Sequence, residues 1–134
     1  MIACEKGAFP LSLNRIDIVS IPVSDQAASK KFYTEKLGFE VVRDNPMDPG
    51  RHWVQLGIPG AATTISLVHW FDNMPPGSVQ GLVIDTGDIK KAHAELAARG
   101  LELTPVDAQP WGKFSTFSDP DGNGWVLAQA APGA

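Results

Sequence analysis

The sequence predicts an α+β domain built from two βαβββ modules. Three observations carry that reading. Short apolar segments with strand alternation surround two helical stretches. Each helical stretch opens on an aspartate and closes on a glycine. The whole order then repeats with a period of 63 residues, from Asp25 to Asp88.

The elements follow in order. Ile16-Asp17-Ile18-Val19-Ser20-Ile21-Pro22-Val23 reads as a strand. Ser24-Asp25 offers a side-chain oxygen to the free amides of a helix start. The helix carries Ala28, Phe32 and Leu37 on one side and ends at Gly38, since glycine takes the left-handed conformation without a Cβ penalty. Strands are expected over 39–44, 51–58 and 63–70, with Pro59-Gly60 as a turn. Asp72-Asn73-Met74-Pro75-Pro76-Gly77 links the halves. In the second half a strand is expected over 79–84. Asp85 to Asp88 then cap a helix bearing Ile89, Ala92, Leu96 and Ala97, which stops at Gly100. Further strands are expected from Leu101 to about residue 106, over 112–118 and over 124–129. Asp119-Pro120-Asp121-Gly122-Asn123-Gly124 is a dense turn between the last two.

A unit of about 60 residues buries little core alone, so the halves are expected to form one domain over residues 15–129, with modules 15–71 and 78–129. Residues 1–14 and 130–134 read as tails. The chain has 134 residues, 43% of them hydrophobic and 19% charged, an ordinary globular balance. A diffuse net charge of −4 argues against nucleic acid as a partner. No stretch approaches the roughly 20 apolar residues of a membrane span. Residues 1–13 lack the apolar run of a signal peptide. The single cysteine, Cys4, cannot form an internal disulfide and reads as a tail residue. These points suggest a cytoplasmic protein without membrane attachment.

Val19-Ser20-Ile21-Pro22-Val23-Ser24-Asp25, Phe32-Tyr33, Leu37-Gly38-Phe39 and Ser118-Asp119-Pro120-Asp121-Gly122-Asn123 resemble the vicinal oxygen chelate superfamily of glyoxalases, bleomycin-resistance proteins and extradiol dioxygenases. Arg51-His52-Trp53-Val54 and Pro110-Trp111-Gly112 also occur in relatives. The resemblance covers about residues 15–129. It implies an eight-stranded, U-shaped mixed sheet around a cleft, and a homodimer.

Metal-using members place His, Gln or Glu at four matched strand positions, because divalent metals need nitrogen and oxygen donors. Carried over, those positions are Ile18, Ser66, Gly81 and Val126. Three of the four have no side-chain donor. Their neighbours Asp17, Val19, Leu67, Gln80, Leu82, Trp125 and Leu127 do not restore the set. The resemblance therefore implies no metal and no other cofactor. It points to the drug-binding branch, which sequesters antibiotics without chemistry.

Strand alternation sorts the two faces. With Ile18, Gly81 and Val126 fixing the phase, Ser20, Thr64, Ser66, Val68, Trp70, Val83 and Ala128 face the cleft. Val19, Ile21, Ile65, Leu67, Leu82, Ile84 and Leu127 pack on the helices. Trp53, Gln55, Phe114 and Thr116 join the cleft, with Trp111 near its mouth. Val54, Leu56, Phe117 and Trp125 join the core. The expected ligand-binding residues are Trp53, Gln55, Ser66, Trp70, Trp111, Phe114, Thr116 and Ser20, and the expected partner is a small aromatic or polycyclic molecule. No catalytic residue is assigned. His52 and His69 fall opposite to Trp53 and Trp70, and His93 falls on the second helix. Asp85 reads as a cap rather than a base. Two alternatives stay open: a family enzyme, metal-dependent or acid–base, and a dimeric scaffold with no ligand.

Overall fold

The structure, a computed structural model, describes residues 11–133; Cys4 lies outside the described residues. Its elements run β1 (Ile18–Pro22), α1 (Gln26–Glu35), β2 (Glu40–Asp48), β3 (Arg51–Gly57), β4 (Thr64–Val68), β5 (Leu82–Asp85), α2 (Ile89–Ala98), β6 (Asp107–Gln109), β7 (Gly112–Ser118) and β8 (Gly124–Ala130). This is βαβββ twice. The eight strands divide into two four-stranded mixed sheets, ordered β1-β4-β3-β2 and β5-β8-β7-β6. In each, the first strand runs parallel to the last and the remaining pairs are antiparallel. The fold is the α+β two-module architecture that the repeat predicts.

The caps form as expected. Asp25 accepts from the Ala28 amide (3.1 Å) and Asp88 from the Lys91 amide (3.1 Å). Gly38 and Gly100 take φ of +72° and +86° just beyond the helix ends. Asp85 is not a cap: it stays on β5, and Asp88 does that work.

Several boundaries differ from expectation. β1 and β5 are shorter than 16–23 and 79–84. Gly81, at φ +81°, breaks the extended backbone before β5. β4 ends at Val68, so His69 and Trp70 lie past the strand. The strand expected from Leu101 to 106 does not form. Pro105 has no N–H for a ladder. Instead the Thr104 side chain takes over: its Oγ1 accepts from the Thr116 amide (2.8 Å), and its carbonyl accepts from Ser115 Oγ (2.6 Å). The short β6 follows at Asp107–Gln109.

The inward face of α1 is rotated from the expected Ala28–Phe32–Leu37 stripe. Ala28 is exposed, while Ser29 and Tyr33 are buried, with Phe32 and Leu37 at the flank. Ala97 on α2 is likewise exposed, and Ile89 is the helix's buried residue. The core gathers Ile21, Leu67, Val54 and Leu56 from the first sheet with Phe117 and Trp125 from the second. The core side of the strands is thus the one alternation predicts, while Gln55, Ser66 and Val68 on the opposite side of the first sheet are buried as well. Tyr33 joins the two halves: its ring meets Trp125 edge-on at 5.8 Å and lies 5.7 Å from Phe39.

One polar network crosses the same seam. Buried Asp119 accepts from Tyr33 Oη (2.8 Å), Asn123 Nδ2 (2.7 Å) and the amides of Asp121 (3.0 Å) and Asn123 (2.9 Å). Asn123 Nδ2 also donates to the Pro22 carbonyl (2.8 Å), and its Oδ1 accepts from the Val79 amide (3.2 Å). Trp125 Nε1 donates to Tyr33 Oη (3.1 Å). Nearby, Asp121 accepts from Ser24 Oγ (2.6 Å). The turn before β8 therefore holds β1, α1 and the linker. At Gly77 in that linker a Cβ would lie 2.2 Å from the Asp121 carbonyl oxygen, so only glycine fits.

Two outcomes follow. Tyr33 is the only tyrosine, so phenolate absorbance reports it alone. Burial first, then the adjacent Asp119 charge, hold its phenol far above the ordinary value of 10.0. Folded protein is expected to show no phenolate rise at pH 11. Below pH ~10 both states keep the proton; above it only the unfolded state loses it, so stability falls by about 1.4 kcal/mol per pH unit. Tyr33→Phe, followed by urea melts against pH, should abolish that slope. Separately, Asp119→Ala strands the Tyr33 hydroxyl and the Asn123 amide. Urea unfolding should show a loss of about 3 kcal/mol, whereas Asp107→Ala on the exposed β6 should cost under about 0.5.

Candidate functional site

With one face of each sheet committed to the core, the opposite faces carry the expected site residues. On the first sheet the ladder places Ser20 and Gln55 as the partners of Ser66, one on each side. Trp53 lies two residues before Gln55 on the same face. Its Nε1 donates to Gln55 Oε1 (3.1 Å), and Gln55 Nε2 donates to Thr64 Oγ1 (2.9 Å). Thr64 Oγ1 in turn donates to the Asp17 carbonyl (3.1 Å). This chain fixes the indole plane. Thr64 was placed on this face by alternation, but its part in the chain was not legible, because hydrogen-bond partners across a ladder depend on register.

On the second sheet Val83 and Thr116 are the partners of Val126. Trp111, on the β6–β7 turn, stacks on Phe114 with centroids 5.5 Å apart and planes 10° from parallel. Trp111 is 63% exposed and Val83 63%, so this face is open and apolar. A groove of about 1020 Å³ includes Gly81, Thr116 and Val126 in its lining, together with Leu101, Leu103, Thr104 and Lys36. The contribution of Leu101–Thr104 was missed because that segment was expected in a strand. A smaller hollow of about 370 Å³ lies between the β3–β4 turn and β5, lined by Leu56, Ile58, Ile65 and Trp125 with Asp85 beside them.

The structure thus brings Ser20, Trp53, Gln55 and Ser66 together on one sheet and Trp111, Phe114 and Thr116 on the other. Trp70 lies two residues past β4, under the guanidinium of Arg51 at 5.8 Å, and Arg51 shares the β3 face of Trp53 and Gln55. Trp125 is buried, as expected of a core residue.

The metal positions of the resembled family do not fit a metal. Ile18, Gly81 and Val126 offer no donor and Ser66 only a neutral hydroxyl. Among the described residues no three His, Cys, Asp or Glu side chains group to hold an ion. His52 is on the α1 side, as alternation predicts. It pairs with Asp44, which also takes Lys30 from α1. The Lys30 hydrogen bond, then that of His52, pulls the Asp44 carboxyl below its ordinary range. His93 bonds the Thr104 carbonyl (2.9 Å). These histidines brace loops and strands. No helix among the described residues is long and apolar enough to cross a membrane.

Known proteins share this architecture. The antibiotic binding protein TnmS3 from Streptomyces sp. CB03234 is 40% identical, with a TM-score of 0.85, 91% of this chain covered and 100% of that one. A superfamily member from Sphaerobacter thermophilus DSM 20745 is 35% identical, with a TM-score of 0.81, covering 89% and 99%. YetH of Bacillus subtilis (strain 168) is 34% identical over 121 residues, 87% of this chain and 99% of its own. The pattern of the Glyoxalase/Bleomycin resistance protein/Dioxygenase superfamily matches residues 15–127, and the chain belongs to that superfamily.

Proposed function

We propose that this protein is a metal-free binding protein that sequesters an aromatic or polycyclic small molecule, as a homodimer in the cytoplasm, and so protects its host against an antibiotic. The observation that carries the reading is the indole chemistry of the faces opposite the core positions. Trp53 is locked by the Gln55–Thr64 chain, and Trp111 is already stacked on Phe114. Rigid, oriented rings bind flat ligands with little loss of side-chain freedom. The donor-free metal positions support binding without chemistry. Likeness to an antibiotic binding protein supports the ligand class. An open face with Val83 and Trp111 exposed supports a second copy as partner.

The four tryptophans give four indole N–H signals, assignable with single Trp→Phe variants. Titration with a naphthol in a nitrogen-edited NMR spectrum should move the Trp53 and Trp111 signals and leave buried Trp125 in place. Trp53→Ala should weaken binding roughly thirtyfold, about 2 kcal/mol, and EDTA should change nothing. Movement of Trp125 alone, or binding that EDTA abolishes, contradicts the reading.

A further inference from the structure

The two sheet faces opposite the core positions carry the same row of ladder positions filled with different chemistry. Across β1, β4 and β3 the row is Ser20–Ser66–Gln55. Across the matching strands β5, β8 and β7 it is Val83–Val126–Thr116. The centre of the row is serine in one module and valine in its twin. The fold therefore accepts a fully apolar side chain at this place, and packing does not demand a hydroxyl.

The Ser66 hydroxyl is also the one buried side-chain polar atom without a hydrogen-bond partner among the described residues. Ser66 is 0% exposed. A buried, unmet hydroxyl destabilises a protein relative to a hydrocarbon of the same shape. On its face Trp53 is committed to Gln55, Gln55 to Thr64 and Thr64 to the Asp17 carbonyl, and Ser20 across the ladder makes no hydrogen bond to it. Such an orphan beside an oriented indole is placed for a partner from outside the chain.

We propose that Ser66 is the polar anchor of the binding face: it hydrogen-bonds a hydroxyl or carbonyl on the edge of a planar aromatic ligand whose ring lies against Trp53. This rests on the reading of the protein as a binder of aromatic small molecules and names the feature of the ligand it selects. Because Ser66 is covered, a ligand reaches it only when neighbouring side chains such as Gln55 turn aside, which releases the Trp53 N–H from Gln55. Gln55 sits directly across the ladder and is held by two neutral hydrogen bonds. The valine-rich twin row has no such anchor and takes the apolar part of a ligand.

The test uses a matched pair of probes, a naphthol and a methylnaphthalene, against wild type, Ser66→Ala and Ser66→Val, with binding read from the tryptophan indole signals. Wild type should prefer the naphthol. Both variants should bind the naphthol about tenfold more weakly, bind the methylnaphthalene as wild type does, and melt at the same or a higher temperature. Equal binding of the two probes by wild type, or unchanged naphthol affinity in both variants, overturns the anchor while leaving aromatic binding intact. Failure of both probes to bind overturns the anchor and the binding reading together. If Ser66→Ala and Ser66→Val both melt lower, the hydroxyl is structural and the proposal fails.

Discussion

A buried carboxylate holds this fold in register. Asp119 lies 5% exposed at the turn before β8, where an unpaired charge would be very costly. Four donors meet it: two backbone amides of its own turn, the Asn123 amide and the Tyr33 phenol. Three of these are local and shape the turn. The Tyr33 bond is not local, since it comes from α1 of the other module. Asn123 extends the network to the Pro22 carbonyl at the end of β1 and to Val79 after the linker. The charge is tolerated only when both modules are docked, so the same group that orders the turn also specifies how the halves meet.

That docking decides where function can sit. It commits the aliphatic face of each sheet, with Tyr33, Phe39 and Trp125, to one core. What remains is the opposite face of each sheet. The matching rows there differ: serine, serine and glutamine on one face, valine, valine and threonine on the other. Positions that could hold metal donors in this architecture carry Ile18, Gly81 and Val126. Those three residues offer no side-chain donor, and the same faces carry the indoles of Trp53 and Trp111 with the hydroxyls of Ser20, Ser66 and Thr116.

Much of this was legible in the sequence, for physical reasons. Asp25, Asp88, Gly38 and Gly100 marked the helices because capping and left-handed turns are local requirements. Alternation sorted Val54, Leu56, Leu67 and Trp125 from Gln55, Ser66 and Thr116 because side chains on a strand alternate strictly. Nonlocal chemistry was less legible. The helix stripe was read through Ala28, Phe32 and Leu37 and left out Tyr33, whose bond to Asp119 spans 86 residues. The Leu101–Thr104 segment read as a strand because Leu-Glu-Leu-Thr alternates apolar and polar residues, whereas Pro105 and the Thr104 hydroxyl replaced the ladder. Trp70 lies past the end of β4, and its contact there is the Arg51 guanidinium, which sequence alone did not indicate.

The central claim is binding without chemistry, and the fate of the ligand tests it most directly. Protein purified without chelator would be incubated with a panel of aromatic natural products and weighed intact by native mass spectrometry, and the ligand then released and weighed. The account predicts a complex whose mass is protein plus ligand with no metal ion, and a released ligand of unchanged mass and retention. A bound divalent ion at one per chain, or a released molecule differing from the one supplied, would contradict it.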